Sequence, residues 1–168
     1  NYRRAAAADP DYCFPFRSET VRVLRRAAER DPSDTMCLYY LGNLLYDHQP
    51  DAAIRLWEKA ARTDGSFWTL QRNLGWAYFQ HHGDADKSIA AYRRALELND
   101  RNPRLFYELD VVSAVGNVDP QRRLALLEEN HETLLPRYDA VTREAILLVL
   151  TGEYDRAIQL MTDYHFHK

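Results

Sequence analysis

A short pattern of small and large residues occurs twice in this sequence, about 35 residues apart. Leu41-Gly42, followed by Ala53, Trp57 and Ala60, returns as Leu74-Gly75, followed by Ser88, Tyr92 and Ala95. Trp57 to Tyr92 and Ala60 to Ala95 are each 35 residues, while Gly42 to Gly75 is 33. The difference fits a change of one or two residues in a turn, where insertions do least harm. A period in the mid-thirties with small residues at fixed places marks an array of helical hairpins. A pattern of this kind constrains architecture far more tightly than activity.

The 168 residues suffice for one domain or a short array, and 46% hydrophobic against 28% charged residues provides a core without a disorder signature. The net charge of −3 gives no electrostatic footprint for nucleic acid or an anionic membrane. Seven arginines in the first 30 residues alternate with apolar residues, as on a solvated helix face. The two cysteines, Cys13 and Cys37, are too few for a disulfide scaffold, so a reduced, cytoplasmic setting is expected, with Cys37 buried and inert beside Leu38 and Leu41. No apolar run nears the roughly 20 residues of a membrane helix, and Ala5 to Ala8 is too short for a signal-peptide core. The first residue is Asn rather than Met, so a fragment or processed segment is expected.

Along the chain, residues 1–18 show no periodicity and read as an irregular lead-in, and 19–168 as one helical repeat domain. Val21, Leu24, Ala27 and Ala28 share one face of a first helix, and Asp31-Pro32 is expected to end it and cap the next. Hairpins are expected over about 35–64, with Leu38, Leu41, Leu44 and Leu45 inward, and over 67–99, with Ser66 as N-cap and Gly83-Asp84 as the turn. A third, over 103–131, is degenerate: Gly116-Asn117 breaks it and Asp119-Pro120 restarts it. Pro136 ends or kinks that element, and a last hairpin covers 139–164, turning at Thr151-Gly152-Glu153. No segment alternates like a strand, so the fold class is all-α, an α-solenoid of three to four antiparallel helix hairpins.

These residues resemble the tetratricopeptide repeat family. Its motif asks for Leu-Gly, an aromatic or Leu three positions on, then a small residue, an aromatic and Ala in the second helix. Leu41, Gly42, Leu45, Ala53, Trp57 and Ala60 supply one copy; Leu74, Gly75, Tyr78, Ser88, Tyr92 and Ala95 supply another. Thr20, Leu24, Ala27 and Asp31-Pro32 fit half of an earlier repeat; Gly152, Tyr154, Ala157, Ile158 and Met161 fit a later one loosely. Residues 103–131 depart most, with Asp110 where Gly is expected. The resemblance implies that Gly42 and Gly75 allow close helix approach, that Ala53, Ala60, Ser88 and Ala95 admit the next repeat, and that Trp57 and Tyr92 fill the wedge between hairpins.

Catalytic signatures are missing from the sequence: it holds no P-loop, no G-x-S-x-G, no H-E-x-x-H and no Gly-rich dinucleotide fingerprint. His81-His82 read as helix-end residues favoured by the dipole; His131, His165 and His167 lack the spacing of a metal site. Neither an enzyme nor a cofactor is expected. In the resembled family the first helices line a concave groove, which here would carry Tyr39, Asn43, Tyr46, Arg72, Asn73, Trp76 and Phe79, with Arg104 and Tyr107 from the third repeat. Aromatics beside Arg and amides suit a peptide or protein partner, unless the chain's own continuation or another domain covers them. One family subset grips a terminal carboxylate with Lys, Asn, Asn, Lys and Arg. Asn43, Asn73 and Arg104 fit it, but Tyr39 replaces the first Lys and Glu108 the Arg, and a carboxylate there repels the ligand.

The runs Tyr39–Asp47 and Arg72–Phe79 and the closing His165-Phe166-His167 also look like the helical region of large bacterial proteins of unknown function. There the repeats follow a β-rich domain related to galactosidase-associated and mutarotase-like modules. That resemblance implies an accessory domain of a carbohydrate-active protein, packing in cis on the β-rich part.

Overall fold

Several helices open on a Pro or an Asx residue just before an apolar stripe. The computed structural model describes residues 17–164; the expected lead-in therefore lies outside them except for Arg17 and Ser18, as do Cys13, His165 and His167. Ten α-helices are described: α1 (Ser18–Arg30), α2 (Thr35–Leu45), α3 (Pro50–Thr63), α4 (Trp68–Ala77), α5 (Ala85–Leu98), α6 (Pro103–Val115), α7 (Pro120–Glu129), α8 (His131–Leu134), α9 (Tyr138–Leu150) and α10 (Tyr154–Asp163). A π-helical turn, Tyr78–His82, prolongs α4. No strand occurs among the described residues.

The capping chemistry follows general rules with two corrections. Pro50, Pro103 and Pro120 occupy first-turn positions, where the missing N–H is no loss. Asp84, Asn102 and Asp119 accept backbone N–H groups at the starts of α5, α6 and α7. Asp31-Pro32 does not cap α2: the Asp31 carboxylate takes Ser33, and Asp34 accepts from Cys37 N at 2.9 Å. Ser66 does not cap α4 either, because its own N–H is drawn to Asp64 Oδ1 and Phe67 stands at the N-cap.

The chain divides into two compact units, 1–83 and 84–168, with the boundary in the turn of the expected second hairpin. In the first unit α2 and α3 pack face to face, and α1 and α4 lie against them. Leu38, Leu41, Leu45, Ala53 and Ala60 are buried, whereas Leu44 is only half-buried. Trp57 is 2% exposed and its indole lies directly beneath Gly42. A Cβ on Gly42 would meet Trp57 Nε1 at 2.3 Å and Cδ1 at 2.6 Å, so only glycine lets the helices close here. The indole Nε1 donates to the Tyr39 carbonyl at 3.1 Å. Trp57 thus fills its own hairpin, against the expectation that it wedges between hairpins.

The second unit repeats the small–large–small pattern on α5, where Ser88, Tyr92 and Ala95 are fully enclosed. An apolar cluster in this unit joins Phe106, Leu124, Leu127, Leu134, Val141 and Leu147. Asp110, at the glycine position of α6, is 3% exposed and accepts Arg123 Nε at 2.8 Å and a second bond from Arg143. A buried carboxylate between two guanidiniums therefore ties α6, α7 and α9 where the repeat would use close packing.

Three outcomes are expected. Gly42→Ala should destabilise the fold by about 1–3 kcal/mol through overpacking, despite alanine's better helix propensity, and Trp57→Ala by about 3–5 kcal/mol through a cavity. Asp110→Ala strands two arginines, one of them buried, and should cost about 3–5 kcal/mol. Urea unfolding of each variant provides the check; unchanged midpoints would refute the packing described.

Candidate functional site

Helical geometry places residues at i, i+4 and i+7 on one stripe. Tyr39, Asn43 and Tyr46 form such a stripe on α2, and Arg72, Trp76 and Phe79 form the matching one at α4 and its π-turn. Both belong to the first unit. The structure joins them through a hydrogen bond from Asn73 Nδ2 to Asn43 Oδ1 at 3.2 Å, while Arg72 Nη1 approaches Asn73 Oδ1 at 3.5 Å. Trp76 and Phe79 lie with ring centroids 6.2 Å apart, both half-buried.

Tyr39 does not face outward with them. It is 2% exposed, set edge-to-face with Phe67 at 5.0 Å and tilted against Tyr40 at 5.4 Å. Phe67, at the entry to α4, encloses this end of the stripe, so Tyr39 is a packing residue rather than a groove residue. Tyr46 is intermediate: its ring stacks near Trp57 at 5.1 Å and takes the edge of His81 at 5.1 Å. Its hydroxyl oxygen is buried without a hydrogen-bond partner, and burial raises its pKa above the ordinary tyrosine value. The histidine pair does more than sit at a helix end. His81 packs on Tyr46, and His82 Nε2 lies 3.2 Å from Asp51 on α3. The π-turn creates this arrangement and closes on Gly83, whose left-handed φ of 61° suits glycine.

Arg104 and Tyr107 belong to the second unit and are engaged there. Arg104 Nε donates to Glu108 at 2.7 Å, and Glu108 is 6% exposed, so the acid that spoils the carboxylate clamp holds the arginine the clamp would need. Arg137 lies over the Tyr107 ring at 5.6 Å and pairs with Asp139. Among the described residues no group of three or more His, Cys, Asp or Glu could hold a metal ion, and no helix is long and apolar enough to cross a membrane. Sequence reasoning missed Phe67 and His81 as parts of the first unit's aromatic framework. Neither has a motif position, and the π-turn that aims His81 leaves no periodic signal.

Small residues at fixed register, paired helices and a 35-residue period define an all-α array of antiparallel helix hairpins, an α-solenoid. Residues 43–103 match the tetratricopeptide repeat family model. The fold is similar to the crystal structure of MamA, with 22% identity, coverage of 84% of this chain and 82% of that one, and a TM-score of 0.73. It is also similar to YrrB, described as a TPR protein with an unusual peptide-binding site: 18% identity, 86% and 74% coverage, TM-score 0.71. PilF of Pseudomonas aeruginosa gives 22% identity, 89% and 70% coverage and a TM-score of 0.69.

Cys37 is 5% exposed and its thiol donates to the Leu24 carbonyl at 3.2 Å. Burial, reinforced by Asp34, pushes its pKa up to about 11. Because the thiolate is the reactive form, Cys37 should resist alkylation at neutral pH and react once the chain is unfolded. Mass spectrometry of iodoacetamide-treated protein provides the check, with rapid modification of native Cys37 the contrary result.

Proposed function

We propose that the first unit is a protein-interaction module, binding an extended peptide segment along the half-buried stripes of α2 and α4. The observation that carries this is the Asn43–Asn73 amide pair linking two successive first helices beside half-buried Trp76 and Phe79. Amides carry both donors and acceptors, which suits the alternating groups of a peptide backbone. Rigid aromatics provide apolar anchoring area at small entropic cost, and such residues dominate binding hot spots. The fold class and the likeness to YrrB support a peptide ligand, while the residues here set its character: backbone capture at Asn43 and Asn73, and an apolar side chain at Trp76 and Phe79. No step of chemistry is assigned to the module.

The test is selection of peptides from a random 12-residue phage library on the intact chain, followed by titration against variants. Peptides selected on the native chain should lose about 2 kcal/mol, roughly thirtyfold, with Trp76→Ala, and a comparable amount with Asn43→Ala plus Asn73→Ala. Tyr39→Ala is excluded from the set because it would act through packing. Selected peptides indifferent to these substitutions would refute the assignment. Selection of no peptide at all would favour the other use of the face, packing in cis against a β-rich domain.

A further inference from the structure

The two copies of the repeat pattern differ in length at one place. Gly42 precedes Ala53 by 11 residues and Gly75 precedes Ser88 by 13, so the second copy holds two extra residues. Insertions at the end of a helix ordinarily lengthen a surface loop. Here helix is prolonged instead. Helix α2 stops at Leu45, three residues past its glycine, whereas α4 continues as the π-turn to His82, seven past its own. Widened turns of this kind are rare and cluster at functional sites.

The side chains of the π-turn reach back onto the preceding hairpin, all within the first unit. Tyr78 Oη donates to Glu58 Oε1 of α3 at 2.9 Å. The His81 ring stands edge-on to Tyr46, just past the end of α2, and Tyr46 leans in turn on Trp57. His82 meets Asp51, in the first turn of α3, but that pair is exposed, and exposed pairs contribute little. The Tyr78 bond and the His81 packing therefore carry the grip. Phe79 belongs to the same turn, and its ring lies 6.2 Å from Trp76. One helical turn before Trp76, Asn73 meets Asn43 of α2 at 3.2 Å. An α-helix advances about 100° per residue, so a modest rotation of α4 would carry Asn73 off Asn43 and swing Phe79 away from that face. A second attachment at the end of α4 fixes that rotation.

We propose that the inserted π-turn is a positioning element for the peptide face of the first unit. Tyr78 and His81, anchored on Glu58 and Tyr46, set the rotation of α4 and so hold Asn73 and Phe79 where a peptide meets them. They are positioning residues, acting through Asn73 and Phe79. The proposal rests on the reading of that face as peptide-binding and adds the residues that set its affinity from outside it.

The first readout needs no peptide: hydrogen exchange of the Asn73 side-chain amide, followed by NMR on the isotope-labelled intact chain. Tyr78→Phe with His81→Ala should speed that exchange at least about tenfold. Glu58→Ala, which removes the acceptor on α3 and leaves both the π-turn and the face intact, should act in the same direction. Buried Cys37 should stay unreactive towards iodoacetamide in each variant, which separates a rotated α4 from an unfolded chain. The second readout is the affinity of peptides selected on the native chain. It should fall about tenfold with Tyr78→Phe plus His81→Ala, yet survive His81→Phe, which keeps a ring on Tyr46. Unchanged Asn73 exchange in both the double variant and Glu58→Ala would overturn the proposal. So would peptides that bind the double variant as tightly as the native chain. Selection of no peptide overturns the reading of the face, and with it the purpose assigned to the turn. Unchanged Asn73 exchange overturns the role of the turn alone, so the two failures are distinct.

Discussion

The first unit depends on one contact, the Trp57 indole against the bare backbone of Gly42. Glycine inside a helix costs about 1 kcal/mol relative to alanine, and α2 bears that cost. In return, an indole 2% exposed enters the space a methyl group would occupy and donates to the Tyr39 carbonyl. That bond gives the buried indole N–H a partner, which a residue of this size requires inside a core. The remainder of the unit is arranged around it: Ala53 and Ala60 flank the tryptophan with no exposed surface, and Tyr46 stacks on its outer side.

The second unit reaches a similar architecture by other means. Asp110 occupies the place of the repeat glycine, so α6 cannot be approached there by a large ring. Its carboxylate instead takes Arg123 and Arg143 from two other helices. An ion network of this kind adds little net stability, because desolvation offsets much of the Coulomb gain. It does penalise any packing in which the three charges fail to meet, and so favours one arrangement of α6, α7 and α9. The degeneracy of the third repeat is a change of mechanism, from shape to charge.

This contrast explains what the sequence could and could not disclose. Leu-Gly, Ala and Trp at a fixed period imply their own packing, since volume and register leave few alternatives; helices α2 to α5 were legible for that reason. Proline and Asx starts were legible where the side chain has one use, as at Asp119, and misleading at Asp31 and Ser66, where a neighbouring hydroxyl or carboxylate competes. Groove membership was harder. Tyr39, Asn43 and Tyr46 share a stripe by periodicity, yet Phe67 encloses the first of them, and periodicity assigns a face without saying what else covers it. The Glu108–Arg104 pair was legible as a defect in a carboxylate clamp, but its ion pair depends on rotamers that spacing does not fix.

A repeat array offers two kinds of unfilled surface, and they differ in chemistry for a physical reason. The outward stripes of first helices keep a share of their surface in water beyond the enclosed Tyr39 and carry polar groups there, as Asn43, Arg72 and Asn73 do, with aromatics held half-buried among them. The outer stripes of second helices are covered wherever another helix follows, and so retain residues such as Ile54, Ile89 and Leu124 that are stable only when buried. Ile158 keeps the residue type of a covered position while 66% exposed. Burying a side chain of that kind contributes about 1.5–3 kcal/mol. An aliphatic residue out of place in water is thus a stronger pointer to a contact than polar residues on a surface that water already suits.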